Sequence, residues 1–259
     1  MTILDKIIIN KKREVAALRE QTTARDLERS RFFPAGTFSL SAFILDPMRS
    51  GIITEFKRRS PSGGIINSHS GVENVTKGYS GAGASGLSIL TDKLFFGGDC
   101  SDLIEAREHN DIPILRKEFI IDEIQVIESK AAGADAILLI AAVLEKQKLL
   151  KLSTLAHSLN LEVLLEVHSL RELDKANEYV NLIGVNNRDL NTLTTDVRIS
   201  MELADLISRD FIKISESGIS SPQTVIELRN AGYDGFLIGE AFMSKPDPAA
   251  AFADFIKMM

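Results

Sequence analysis

The chain has 259 residues, a formal net charge of −6 at pH 7 and a sequence pI near 5.4. Its length accommodates one α/β barrel of about 250 residues or two smaller domains, either with a substantial core, while the acidic balance excludes a nucleic-acid binder that works through a basic face. The single cysteine, Cys100, rules out an internal disulfide, no CxxC or CxxH zinc pattern is present, and a reducing cytoplasm is the expected home.

Asp5 and Lys6 interrupt the N-terminus before any apolar run, so no signal-peptide order is read there. The longest apolar run, Ala136 to Leu144, is far shorter than the roughly 20 residues needed to span a bilayer, and a soluble protein without membrane association is expected. Residues 3 to 20 place Leu4, Ile8, Val15 and Leu18 near one helical face, with Lys11, Lys12, Arg13 and Glu14 largely opposite. From Thr22 to Ser50 the pattern is less regular. Thr23 suits an N-cap, and Phe32, Phe33, Phe38 and Phe43 are interleaved with Pro34, Gly36 and Pro47 in a cap or a lid, the phenylalanines packing. We expect an N-terminal helical extension over residues 1–50 and a catalytic domain over residues 51–259, together one structural unit.

From Gly51 a unit of strand, loop and helix recurs. The strands are Ile52 to Phe56, Gly86 to Leu90, Pro113 to Lys117, Ala136 to Ile140, Glu162 to Glu166, Leu182 to Val185, Phe211 to Ser215 and Gly235 to Ile238. Helical patterns follow at Val72 to Ala82, Ser101 to His109, Ile121 to Ala132, Glu145 to Leu159, Leu170 to Tyr179, Ser200 to Ile207, Pro222 to Ala231 and Pro248 to Met258. Gly133 and Gly232 stand where helices end in a left-handed residue. Eight alternating pairs are the count of a (β/α)₈ TIM barrel. A doubly wound open sheet competes, but no GxGxxG follows an early strand.

In a barrel, function lies at the carboxyl ends of the strands, where the loops form one concave face. Polar residues collect there: Glu55 and Lys57, sharing a face by the strand period of two, then Asp92, Lys117 followed by Phe119, Glu166, Asn186 and Arg188, Glu216 and Ser217, and Glu240 after Gly239. The fourth strand ends in Ala141-Ala142 and supplies only apolar wall. Glycine signals after strands seven and eight, Ser217-Gly218 and Gly239-Glu240, occupy the position where barrels cradle a phosphate on backbone N–H groups. His69, His109, His157 and His168 have no i,i+2 or i,i+4 partner, which disfavours a metal-dependent sugar-phosphate epimerase. His168 shares a strand face with Glu166 and is expected to be structural.

These residues resemble the indole-3-glycerol phosphate synthase family from the N-terminal helix to the last strand. The carriers are Glu55-Phe56-Lys57-Arg58-Arg59-Ser60-Pro61-Ser62, Leu87-Ser88-Ile89-Leu90-Thr91-Asp92, Pro113-Ile114-Leu115-Arg116-Lys117-Glu118-Phe119-Ile120, Leu165-Glu166-Val167, Gly184-Val185-Asn186-Asn187-Arg188-Asp189-Leu190, Ser215-Glu216-Ser217-Gly218-Ile219 and Leu237-Ile238-Gly239-Glu240. The chain departs from the family pattern at Glu118, where Asp is commoner, and at Gly63, where a Lys of the first loop is commoner. Residue 118 alternates away from Lys117, so the change to Glu is expected to matter little.

The resemblance implies a barrel that closes the pyrrole ring of 1-(2-carboxyphenylamino)-1-deoxyribulose 5-phosphate, a small-molecule phosphosugar, with loss of carbon dioxide and water. No cofactor, metal or obligate protein partner is implied. It further implies that Lys117 is the general acid of ring closure and that Glu166 relays a proton and stabilises positive charge on the anilino system. Glu55 and Asn186 orient the intermediate, and Lys57 and Arg188 engage carboxylate or phosphate, Lys57 serving also as an acid for dehydration. Phe119 grips the anthranilate ring, and Ser60 contacts substrate. Ser217, Gly218, Gly239 and Glu240 hold the phosphate, Glu240 through its main chain with its carboxylate turned away. Lys57, Lys117 and Arg188 around one cavity are expected to repel one another and lower the pKa of Lys117. Two rivals remain at this point: a Schiff-base aldolase with Lys117 as nucleophile, and a phosphosugar-binding barrel without catalysis.

Overall fold

The computed structural model describes residues 1–189 and 192–259, so Leu190, the last residue of the sixth-strand motif, lies outside the described residues. Among the described residues eight parallel strands close on themselves: β1 (Ile52–Phe56), β2 (Gly86–Leu90), β3 (Ile114–Lys117), β4 (Ala136–Ile140), β5 (Glu162–Val167), β6 (Leu182–Asn186), β7 (Ile212–Glu216) and β8 (Gly235–Ile238). Each pairs with its sequence neighbours, and the pairing of Ile52 with Phe236 shuts the ring. The expected strands are all present to within a residue or so at each end.

Side-chain alternation divides the core in two. In β4, Ile137 and Leu139 face the surrounding helices, while Ala136, Leu138 and Ile140 join Ile53, Leu115, Leu164, Leu182, Ile214 and Leu237 inside the barrel. The inward series of five strands then run from apolar to polar as they climb: Ile53 to Glu55, Leu115 to Lys117, Leu164 to Glu166, Gly184 to Asn186, and Ile214 to Glu216. The same period that fills the barrel therefore delivers five polar side chains to its upper mouth.

The N-terminal residues cover both ends. Helix α1 (Ile3–Gln21) begins in a capping box, Thr2 Oγ1 accepting from Asp5 N and the Asp5 carboxylate accepting from Thr2 N. Its first turns reach the upper mouth through Ile3, Leu4 and Ile7, and Arg19 near its end meets Asp122 at 2.7 Å. Thr23 caps α2 (Ala24–Leu27) as expected. Helix α3 (Leu40–Leu45) plugs the lower end, its Leu40 and Ile44 joining the barrel interior, so this segment is a cap and not a lid over the site. Phe38 and Phe43 pack edge to face at 6.1 Å.

Three local expectations are corrected. Lys11 is not on a solvated face: it is 3% exposed, beside Ile7 and Val15 on the buried stripe of α1. The helix expected over Leu170 to Tyr179 stops at Leu173, and further on the Asn177 carboxamide oxygen accepts from Tyr179 N in a turn. The helix expected over Ser200 to Ile207 begins at Arg198 and tightens to a 3₁₀ turn over Ala204–Leu206. Gly133 and Gly232 take the left-handed conformation at φ 91° and 96°.

Candidate active site

The upper mouth opens into a cavity of about 580 Å³, lined on one side by polar strand ends and on the other by Leu90, Phe96, Phe119, Leu138 and Ile140. That size is in the range of small-molecule sites. Every expected site residue lines it: Glu55, Lys57, Ser60, Lys117, Phe119, Glu166, Asn186, Arg188, Ser217, Gly218, Gly239 and Glu240.

At its floor the Lys117 ammonium donates to Glu166 Oε2 at 2.8 Å and to Glu216 Oε2 at 2.7 Å. Burial disfavours the charged amine, but the Glu166, Glu216 and Glu55 carboxylates outweigh it and hold the Lys117 pKa well above its ordinary value. This corrects the expectation of a lowered pKa, since the nearest charges to Lys117 are anions and not cations. Lys57 likewise pairs with a carboxylate, donating to Glu55 Oε1 at 2.7 Å.

The two acids that share Lys117 titrate apart. Burial pushes Glu216 up to about 7, helped by the neighbouring Glu166 charge and opposed by Lys117. Burial acts on Glu166 in the same sense, but Lys117, His168 and a hydrogen bond from Asn186 prevail and lower it. The other Glu216 oxygen, Oε1, is buried and has no hydrogen-bond partner among the described residues. The cluster around Lys117 thus holds one fixed carboxylate, one cation and one carboxyl group poised to carry a proton at neutral pH.

Sequence reasoning placed Glu216 at a strand end without giving it a role, although its alternation with inward Ile214 points it into the barrel. Two other residues contribute that the sequence did not mark as functional. His168, expected to be structural, lies with Nε2 3.8 Å from Glu166 Oε1 and Nδ1 3.5 Å from Glu172 Oε2. Asn187 is fully buried and donates to Ser217 O at 3.0 Å and Ser215 Oγ at 3.1 Å, while its own oxygen accepts from Ser200. It fixes the loop after β7 from behind.

That loop carries Ser217 and Gly218 in consecutive left-handed conformations, φ 67° and 76°. Gly239 leads into the short helix Glu240–Met243 beside it. Arg188 spans the mouth, donating to Ser62 Oγ at 2.9 Å and lying 3.6 Å from Glu240 Oε2. The Glu240 carboxylate therefore does not turn away from the site, because Arg188 attracts it. Ser60 Oγ accepts from Gly63 N at 2.9 Å, closing the first loop on itself.

Asp92 is not in the cavity wall, contrary to its grouping with the other strand ends. Its Oδ1 accepts from Phe95 N and Phe96 N, capping the helix Lys93–Phe96, and its Oδ2 faces Lys11. Arg58, next to Lys57, turns outward to Asp102 and lies 4.9 Å over the Phe56 ring. The basic run in the first loop is thus split between site and scaffold.

The family model described as indole-3-glycerol phosphate synthase matches residues 4–255. A protein of Bacteroides thetaiotaomicron with that name is 48% identical over 256 residues, covering 98% of each chain, and one of Laribacter hongkongensis is 42% identical over 263 residues, covering 97% of each. Among solved structures, 3-hexulose-6-phosphate synthase from Salmonella typhimurium has a TM-score of 0.61 at 14% identity, over 80% of this chain and 98% of that one. A tryptophan synthase alpha-subunit from Pyrococcus furiosus has a TM-score of 0.61 at 13% identity, over 81% and 97%. At such identity these structures share the fold alone.

Proposed function

The chain belongs to the indole-3-glycerol phosphate synthase family, and from that membership we propose how its own residues carry the chemistry. The reaction is ring closure, decarboxylation and dehydration of 1-(2-carboxyphenylamino)-1-deoxyribulose 5-phosphate to indole-3-glycerol phosphate, a lyase step of tryptophan biosynthesis.

The observation that carries the assignment of roles is the Lys117 ammonium held between Glu166 and Glu216. As the aromatic carbon attacks the ribulose carbonyl, the carbonyl oxygen gains negative charge and takes a proton from Lys117 Nζ. Glu216, near half-protonated at neutral pH, returns a proton to the amine. Glu166 stays ionised and stabilises the positive charge that ring closure places on the anilino nitrogen. Carbon dioxide then leaves from an environment walled by Phe96 and Phe119, where a carboxylate is poorly solvated. Dehydration follows with Lys57, steered by Glu55, as acid at the leaving hydroxyl, and Glu166 relaying the departing proton.

Asn186 orients the intermediate beside Glu166, while Arg188, Ser60 and the backbone at Ser217, Gly218, Gly239 and Glu240 hold the carboxylate and phosphate ends. The raised pKa of Lys117 argues against the Schiff-base alternative, since a protonated amine is not a nucleophile. Among the described residues no helix is long and apolar enough to cross a membrane. We assign the protein to the cytosol, acting without an obligate partner, with residues 1–50 as an extension built onto a barrel of residues 51–259.

Mixing the purified protein with this substrate and following indole fluorescence tests the reading. A rise supports it; substrate that binds without a rise overturns it. Borohydride treatment during turnover is expected to leave Lys117 unmodified, and a covalent adduct there would favour the aldolase.

A further inference from the structure

Lys11 is a buried cation on a helix whose docking against the barrel needs none. Its ammonium forms ion pairs with Asp92 Oδ2 at 3.0 Å and Glu118 Oε1 at 2.9 Å, and with Glu14 on its own helix. Asp92 is fully buried, and Lys11 and Glu118 are 3% and 4% exposed. Taking such charges out of water is costly, and an apolar residue of similar length would dock α1 as well or better. The network therefore calls for a purpose other than docking.

Both carboxylates have a second task. Asp92 Oδ1 accepts from Phe95 N at 2.8 Å and from Phe96 N at 3.3 Å. Glu118 Oε1 accepts from Phe119 N at 2.7 Å, and its Oε2 accepts from Thr91 Oγ1 at 2.8 Å. The rings of Phe96 and Phe119 lie 6.0 Å apart in the cavity wall. One ammonium thus ties together two acids, one fixing the backbone of Phe95 and Phe96 and the other that of Phe119. The same helix lays Ile3, Leu4 and Ile7 along the cavity.

We propose that Lys11 is a positioning residue for the reaction: by clamping Asp92 to Glu118 it sets the placement of the paired Phe96 and Phe119 rings, the apolar wall against which the anthranilate ring of the substrate packs. This rests on the reading of the cavity given above. Without the cation, two buried carboxylates face each other and are relieved only by separating or by taking up a proton, and either change moves the loops after β2 and β3. The phosphate end, built on the loops after β7 and β8, is on other strands and keeps its geometry.

The test is steady-state kinetics of the parent, Lys11→Met, Phe96→Leu and the double variant with 1-(2-carboxyphenylamino)-1-deoxyribulose 5-phosphate, with inorganic phosphate as competitive inhibitor. Parent turnover establishes the reading of the cavity independently; its absence would indict that reading and not the clamp. Lys11→Met is expected to raise KM about tenfold or more while the phosphate inhibition constant stays within twofold. In the double variant the two effects should fall well short of multiplying, because both act on one aromatic wall. Asp92→Asn, which keeps the capping oxygen and removes the charge, should raise KM in the same direction and serves where Lys11→Met does not fold. Unchanged KM in these variants, equal loss of phosphate affinity, or fully multiplicative effects of Lys11→Met and Phe96→Leu would each overturn the proposal.

Discussion

A Cβ placed on Gly184 would stand 2.1 Å from Glu216 Oε1. The carboxyl group of β7 occupies the space that a side chain on β6 would fill, so the absence of a side chain at 184 is what allows Glu216 to lie over the barrel floor and reach Lys117. Gly184→Ala is expected to leave the barrel folded, with the strand pairing of Gly184 to Ile214 intact, but to push Glu216 aside. Displacement of about 1 Å at a reacting group lowers kcat by about 10²-fold. Steady-state kinetics with a circular dichroism control checks this; a fall of less than threefold would mean that the position of Glu216 matters little.

Glu216 also makes stability depend on pH. Its folded pKa, about 7, lies above its ordinary value of 4.5, so the stability it contributes is present below pH 4.5 and is lost as pH rises through 7. His168, raised as well because Glu172 and Glu166 outweigh its burial, acts in the same direction in both proteins compared. The melting temperature of the parent should therefore fall more between pH 5 and pH 8 than that of Glu216→Gln. Parallel curves would refute a raised pKa at this residue.

Gly218 lines the cavity where we propose that the phosphate end binds. At φ 76°, and with Thr195 Cγ2 2.5 Å from where a Cβ would lie, an alanine there is both strained and crowded. Gly218→Ala should destabilise the protein by about 1–3 kcal/mol and raise KM roughly tenfold through one or two lost backbone contacts. Denaturant unfolding and kinetics measure the two effects separately; a variant with unchanged KM would remove Gly218 from the binding site.

The plug at the other end should separate stability from function. Leu40 is fully buried beneath the strands, its Cδ1 2.7 Å from where a Cβ on Gly86 would stand. Leu40→Ala is expected to cost about 2–5 kcal/mol while leaving kcat and KM within twofold at temperatures where the protein is folded. A large change in KM would instead tie this segment to the site.

Most of the barrel was legible because its signals are local. Alternation and turn residues placed each strand, and the same alternation sent Glu55, Lys117, Glu166 and Asn186 to one face. What escaped was set by partners distant in the chain. Lys11 reads as solvated on its own helix and is buried only because Asp92 and Glu118 come from two later loops. The same long-range pairing reversed the expected sign at Lys117, whose nearest neighbours come from β5 and β7. Glu118, whose change from the commoner Asp was expected to matter little, bonds Lys11, Thr91 and the Phe119 backbone at once. Asn187 points away from the cavity, and no periodicity marks it as the support of the Ser217 loop.

The central claim is that Lys117 donates the proton of ring closure while Glu166 and Glu216 hold it charged. Its most direct test is the turnover of Lys117→Met, which keeps the length of the side chain without the charge, alongside substrate binding by the same protein measured by rapid quench and equilibrium titration. The account predicts a fall in kcat of about 10²–10⁴-fold with substrate still bound within an order of magnitude of the parent. A variant that binds substrate and closes the ring at a rate near that of the parent would contradict it.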